Sequence, residues 1–214
     1  TDMTSLCKKL FSQNRYTELA KLTVTFNGIG RGGECKFLNY RSWYFCNKFN
    51  MLFVQWFQRK NLKTNPSAFV PDFENPENCV FLALGCYWSV DHGLEREDIG
   101  APNSPEFWKS RYLFQDLHSM QDRSVTTQLS NTIQSLIVAE LKAFYSAKSL
   151  RIGAMTMLAW DPSITYEEAV ALGGWATPSN RDWYTWIYLV AVIPPALALA
   201  GYPDARVIPY LPST

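Results

Sequence analysis

With 214 residues, 47% of them hydrophobic and 18% charged, the chain is not a disordered polymer. It can bury one domain with a real core, or a large catalytic domain with some decoration. Eight Trp, eleven Tyr and thirteen Phe make it unusually aromatic, and a net charge of +1 argues neither for nor against a nucleic-acid partner. Five cysteines (Cys7, Cys35, Cys46, Cys79 and Cys86) contain no Cys-x-x-Cys pair and lie in apolar surroundings. That pattern predicts buried thiols in a reducing, intracellular compartment and argues against a disulfide framework.

In chain order, residues 4–29 read as a helical run with Leu6, Leu10, Leu19, Leu22 and Val24 on its apolar positions. Gly28-Ile29-Gly30-Arg31-Gly32-Gly33 breaks it and formally matches the Gly-x-Gly-x-x-Gly dinucleotide turn. That turn requires a ribose-binding acid about twenty residues on, and none follows before Asp72, so the dinucleotide reading fails. Between Glu34 and Asp72 the charges are all positive: Lys36, Arg41, Lys48, Arg59, Lys60 and Lys63. A stripe of one sign in a neutral protein points to an anionic partner at that face, the alternative being an accident of a β-rich segment.

Strand chemistry begins at Trp43-Tyr44-Phe45-Cys46 and continues from Met51 to Phe57; a polar run from Gln58 to Ser67 then separates this strand from Ala68-Phe69-Val70. Asn78 to Val90 reads as a buried helix on Val80, Leu82, Leu84 and Tyr87, and Asp91 to Pro105 as a Gly/Pro-punctuated connection. The segment Phe107 to Leu117 takes no clear assignment. Ser124 to Phe144 is a long helical pattern (Val125, Leu129, Ile133, Leu136, Ile137, Leu141), expected to pack under a helix beginning near Ser149.

That next helix carries Lys148 and Arg151, three apart and therefore on one face. A short helix from Tyr166 to Leu172 stops at Gly173-Gly174, Trp175 follows, and nine residues later Tyr184 opens another helical pattern. The uncharged stretch Trp183 to Pro203 is long enough to span a bilayer, but Pro194-Pro195 cuts it. A buried helix ending at Ile193 and a Pro-directed tail are the preferred reading, without a membrane. His92 and His118 are isolated, and no His/Cys/Asp/Glu cluster has metal-ligand spacing.

The cation pair, the Leu172-Gly173-Gly174-Trp175 stop and Tyr184 nine residues on resemble the C-terminal half of the tyrosine recombinase (phage integrase) signature. Ser149-Leu150-Arg151-Ile152-Gly153-Ala154 is most similar to the version in eukaryotic mobile elements of the Crypton and DIRS kinds. Arg31-Gly32-Gly33-Glu34 matches the family's Arg-x-x-Glu after a Gly-rich approach. The resemblance covers about residues 10–190. It implies an α+β, mainly α catalytic domain over 1–190, with a small antiparallel sheet of about three strands on a helical core. Residues 191–214 would be a C-terminal tail docked in cis or on a neighbouring protomer. Members usually add an N-terminal helical domain that closes a clamp on DNA, so a fragment or a reduced form is expected.

The implied activity is site-specific recombination of double-stranded DNA by a metal- and cofactor-independent transesterification, with self-association as a dimer or tetramer on the DNA and a nuclear location in a eukaryote. Tyr184 would attack phosphorus to give a 3′-phosphotyrosine, with Tyr188 a weaker candidate one turn on. Arg31 and Arg151 would hold the non-bridging oxygens, Glu34 would orient Arg31, and Trp175 would donate its indole N–H or buttress Tyr184. The hairpin lysine that protonates the leaving 5′-oxygen falls on Lys60 or, alternatively, Lys63. Lys36, Arg41, Lys48, Arg59 and Lys63 would contact the DNA backbone. Lys148 stands where most members have His and leaves the general base unassigned. This departure keeps a second reading open, a domesticated DNA-binding or scaffold protein with the same fold and little or no turnover.

Overall fold

A computed structural model describes residues 3–46, 49, 51–59, 62–91, 111–174, 191–202 and 204. The helical run expected over 4–29 is two helices, α1 (Met3–Ser12) and α2 (Tyr16–Asn27). Asn14, at φ 56°, reverses the chain between them; a short polar side chain makes that left-handed conformation accessible. Every residue of α2 from Leu19 to Asn27 is buried, so α2 is the central helix. Its buried hydroxyl and amide groups find carbonyl partners within the helix, while the buried Lys21 pairs with Asp116 outside it. Thr23 and Thr25 donate their hydroxyls to the carbonyls of Leu19 and Lys21 at 2.9 and 2.6 Å, and Asn27 Nδ2 donates to Thr23 O at 3.0 Å.

The sheet is an antiparallel meander of β1 (Trp43–Cys46), β2 (Met51–Arg59) and β3 (Leu62–Phe69) in that order. Register runs from Trp43 opposite Val54 on one side of β2, and from Leu52 opposite Phe69 to Arg59 opposite Leu62 on the other. The polar run expected to separate strands is therefore largely strand itself. Its position explains the composition, because β3 is an edge strand and tolerates Pro66, which has no N–H to give to a further neighbour.

A 3-10 turn (Pro76–Asn78) leads into α3 (Val80–Cys86), and a π-type turn continues it over Tyr87–Asp91. The otherwise unassigned segment supplies Leu113, Phe114 and Leu117 to the core, on or beside the short helix α4 (Gln115–His118). The long pattern expected from 124 to 144 is α5 (Asp122–Leu136), an extended Ile137 and a 3-10 helix (Ala139–Phe144). Lys9 Nζ caps the end of α5 by donating to Leu136 O at 2.7 Å, a cation at the negative end of the helix dipole. Two further helices follow, α6 (Ala147–Trp160) and α7 (Tyr166–Gly173).

The last described helix is α8 (Ile193–Leu199), so the stretch expected as a Pro-directed tail begins as helix, while most of the helix expected to end at Ile193 lies outside the described residues. Pro194 and Pro195 occupy the first turn of α8, where a missing N–H costs nothing and the fixed φ favours helix, so they start an element. It packs in cis against α6, α7 and β3, and Tyr202 donates its hydroxyl to Pro71 O at 2.9 Å. No disulfide joins any of the five cysteines, and Cys7, Cys35 and Cys79 are buried. Among the described residues no helix is long and apolar enough to cross a membrane. The described residues are mainly helical with one small antiparallel sheet, an α+β arrangement.

Candidate functional site

The first component is the turn that leaves α2. Gly28 and Gly30 lie against the fully buried ring of Trp56 on β2; a Cβ built on Gly28 would stand 2.4 Å from Trp56 Cζ2. Ile29 between them is buried at φ 48°, an uncommon conformation for a β-branched residue that only surrounding contacts can hold. On the far side of the turn, Cβ atoms on Gly32 and Gly33 would meet Thr126 at 3.3 Å and Asp122 at 3.1 Å, both on α5. The glycines are thus spaced by a strand on one side and a helix on the other.

Arg31 emerges from that clamp. Its backbone N–H donates to Glu34 Oε2 at 2.8 Å, and its Nη1 lies 3.7 Å from Glu34 Oε1. Glu34 is itself buried, with 6% exposure, so one carboxylate fixes both the start of the 3-10 helix (Gly32–Phe37) and the guanidinium beside it.

The second component comes from α6. Ser149 Oγ accepts the Ser146 N–H at 3.0 Å and the Ala147 N–H donates to Ser130 Oγ at 3.0 Å, which fixes the N-terminus of α6 on α5. Lys148 and Arg151 follow in the opening turns. Cations there oppose the positive end of the helix dipole, an unfavourable arrangement unless an anion is shared between them. Arg151 donates Nη2 to the Gly173 carbonyl at 2.7 Å. Burial pushes its pKa down to about 10, with Glu34 acting in the opposite sense and Arg31 adding to the depression.

Arg31, Lys148 and Arg151 meet at one cavity of about 700 Å³. Thr126 completes its polar side, while Ile152 and Met155 supply an apolar flank. Three cations line this cavity, and Glu34 pairs with one of them from the adjoining groove, so the cavity suits an anion carrying oxygen acceptors. A second, more polar groove of about 770 Å³ continues past Arg31 along Thr126, Thr127, Ser130 and Asn131 of α5. The sequence reading missed this polar face because it followed only the apolar positions of the helix. The 126, 127, 130, 131 spacing would have revealed it.

Tyr184, Trp175, Lys60, Lys48 and His92 lie outside the described residues. Arg59 and Lys63 are placed on β2 and β3 as strand residues, flanking the reversal between Arg59 and Leu62. Arg41 is exposed on a 3-10 helix (Tyr40–Ser42). Lys36 departs from the expected role. Its ammonium is committed to Asp122 Oδ1 at 2.6 Å and Met120 O at 2.9 Å, lies 4.8 Å from the Phe37 ring centroid, and its side chain is only 13% exposed. The acid-free stretch is therefore not a uniform cationic face, because α5 supplies the missing carboxylate from far along the chain. His118 stacks on Tyr112 with centroids 3.5 Å apart. Among the described residues no three His, Cys, Asp or Glu side chains group to hold a metal ion. No protein-family model, curated protein or solved structure matches the chain.

Proposed function

We propose that the chain is a tyrosine-type DNA recombinase, cleaving and rejoining double-stranded DNA through a 3′-phosphotyrosine intermediate. One observation carries the reading: Arg31 and Arg151, some 120 residues apart in sequence, line a single cavity with Lys148, and Glu34 braces the first of them. Two guanidinium groups and an ammonium lining one cavity suit the non-bridging oxygens of a phosphodiester and its more charged transition state. In this scheme the Tyr184 oxygen bonds to phosphorus as the 5′-oxygen leaves with a proton from Lys60 (or Lys63). Lys148 acts as a hydrogen-bond donor to the phosphate, since a protonated lysine cannot accept the phenol proton; water or the phosphate takes that proton. Trp175 adds its indole N–H or supports Tyr184. Work of this kind places the protein on DNA as a dimer or tetramer, inside the cell and in the nucleus of a eukaryote.

The test is a nicked suicide duplex that traps the cleaved state. The wild-type chain should form a covalent protein–DNA adduct that Tyr184→Phe abolishes. An adduct that persists in Tyr184→Phe refutes the nucleophile. Salt-dependent binding with no adduct from the wild type refutes turnover and leaves the DNA-binding scaffold reading that Lys148 favours.

A further inference from the structure

The hydrogen bond from Arg151 to Gly173 ties the cavity to the end of α7. At that end Gly174 adopts φ 65°, ψ 35°, and its N–H turns back to the carbonyls of Ala171, at 3.2 Å, and Val170. This left-handed stop satisfies two of the terminal carbonyls of the helix and leaves that of Gly173 directed at the α6 guanidinium. The rest of α7 has little freedom to adjust. Its start is held by reciprocal bonds between Thr165 and Glu168, and Ala169, Val170, Ala171 and Leu172 are buried. In sequence the same turn leads straight into the segment carrying Trp175 and Tyr184.

We infer that Gly174 is a positioning residue of the anion site: its left-handed backbone aims the Gly173 carbonyl at Arg151 and so sets where that guanidinium stands opposite Arg31 and Lys148. The inference rests on the cavity being a phosphate site, not on which reaction follows. Glycine adopts this conformation without a Cβ penalty, asparagine tolerates it, and alanine resists it. Alanine's strain at one residue is small beside the stability of a folded domain, so each variant still folds.

The experiment titrates inorganic phosphate into the full chain by calorimetry, with the Arg151 Nε–Hε resonance, assigned by its loss in Arg151→Lys, followed by NMR. Gly174→Ala should weaken phosphate by about tenfold, the scale of one charge-assisted hydrogen bond, and should speed rotation of the Arg151 guanidinium. Gly174→Asn should restore both. Unchanged affinity and an unchanged Arg151 signal in Gly174→Ala overturn the inference, as does an Asn variant as impaired as the Ala variant. A wild-type chain that binds no phosphate instead removes the cavity reading, and this inference with it.

Discussion

Gly28→Ala is the sharpest perturbation of the turn that presents Arg31. Gly28 sits at φ −85°, ψ 0°, a conformation alanine adopts freely, so the substitution tests space alone. Its new Cβ would lie 2.4 Å from Trp56 Cζ2 and 2.9 Å from the Val24 carbonyl oxygen, the first about 1 Å inside ordinary contact. Trp56 cannot retreat, because it is fully buried and its Nε1 donates to Ser67 Oγ at 2.8 Å. Overpacking of this kind costs about 3 kcal/mol at the upper end, and alanine regains roughly 0.5–1 kcal/mol by restricting the unfolded chain. The net loss of about 2 kcal/mol should lower Tm by roughly 4–8 °C for a chain of this size. A double-mutant cycle assigns the cause. In a Trp56→Leu background the clash is gone, and Gly28→Ala should become neutral or slightly stabilising. An alanine variant as stable as wild type, or one equally costly with and without the indole, would refute the packing argument.

Three other predictions concern charge and capping. Lys21 is 3% exposed and paired with Asp116, whose side chain is 45% exposed. Asp116→Ala should therefore destabilise by roughly 2 kcal/mol by stranding a buried ammonium, whereas Lys21→Met should be near neutral; denaturant unfolding of both checks the asymmetry. Because the folded-state pKa of Arg151 is depressed to about 10, the unfolded chain holds that proton more tightly. The group's contribution to stability is then adverse at neutral pH and improves as pH climbs above about 10, while affinity for a phosphodiester monoanion such as dimethyl phosphate, whose own charge does not change over this range, should be flat from roughly pH 6 to 9 and fall as pH passes about 10. Calorimetric titration across that range tests the sign. Thr165→Val removes the hydroxyl that accepts the Glu168 N–H at 3.3 Å. It should cost about 1 kcal/mol and accelerate hydrogen exchange at the first turn of α7.

Much of this architecture was legible in the residue pattern. The apolar spacing of α5, the Gly173-Gly174 stop of α7 and the start of α6 near Ser149 follow from helical periodicity and end signals. The sheet was visible in its aromatic strands. What periodicity could not show was whether an apolar run stays in one piece. Residues 4–29 divide at Asn14 and residues 124–144 at Ile137, since the apolar period continues through both breaks. Composition misled at β3, where an edge strand can be polar and hold Pro66. At the site, Arg31, Glu34, Lys148 and Arg151 were singled out by their resemblance to the recombinase signature, and the cavity and the Arg31–Glu34 pair bring them near one another. Thr126 and the Lys36–Asp122 pair depend on contacts between elements some 85 to 95 residues apart, which no local pattern encodes.

The clamp on the turn after α2 has a kinetic corollary. A turn pinned between β2 and α5 acquires its shape only once distant parts of the chain have docked, so the geometry of the cavity beside it belongs to the last stages of assembly. No excised peptide around residues 28–34 should retain affinity for phosphate. Conversely, an oxyanion that binds the finished molecule alone should raise the melting temperature of the whole chain with ligand concentration, which makes a simple salt-titrated melt a direct probe of whether the pocket has formed.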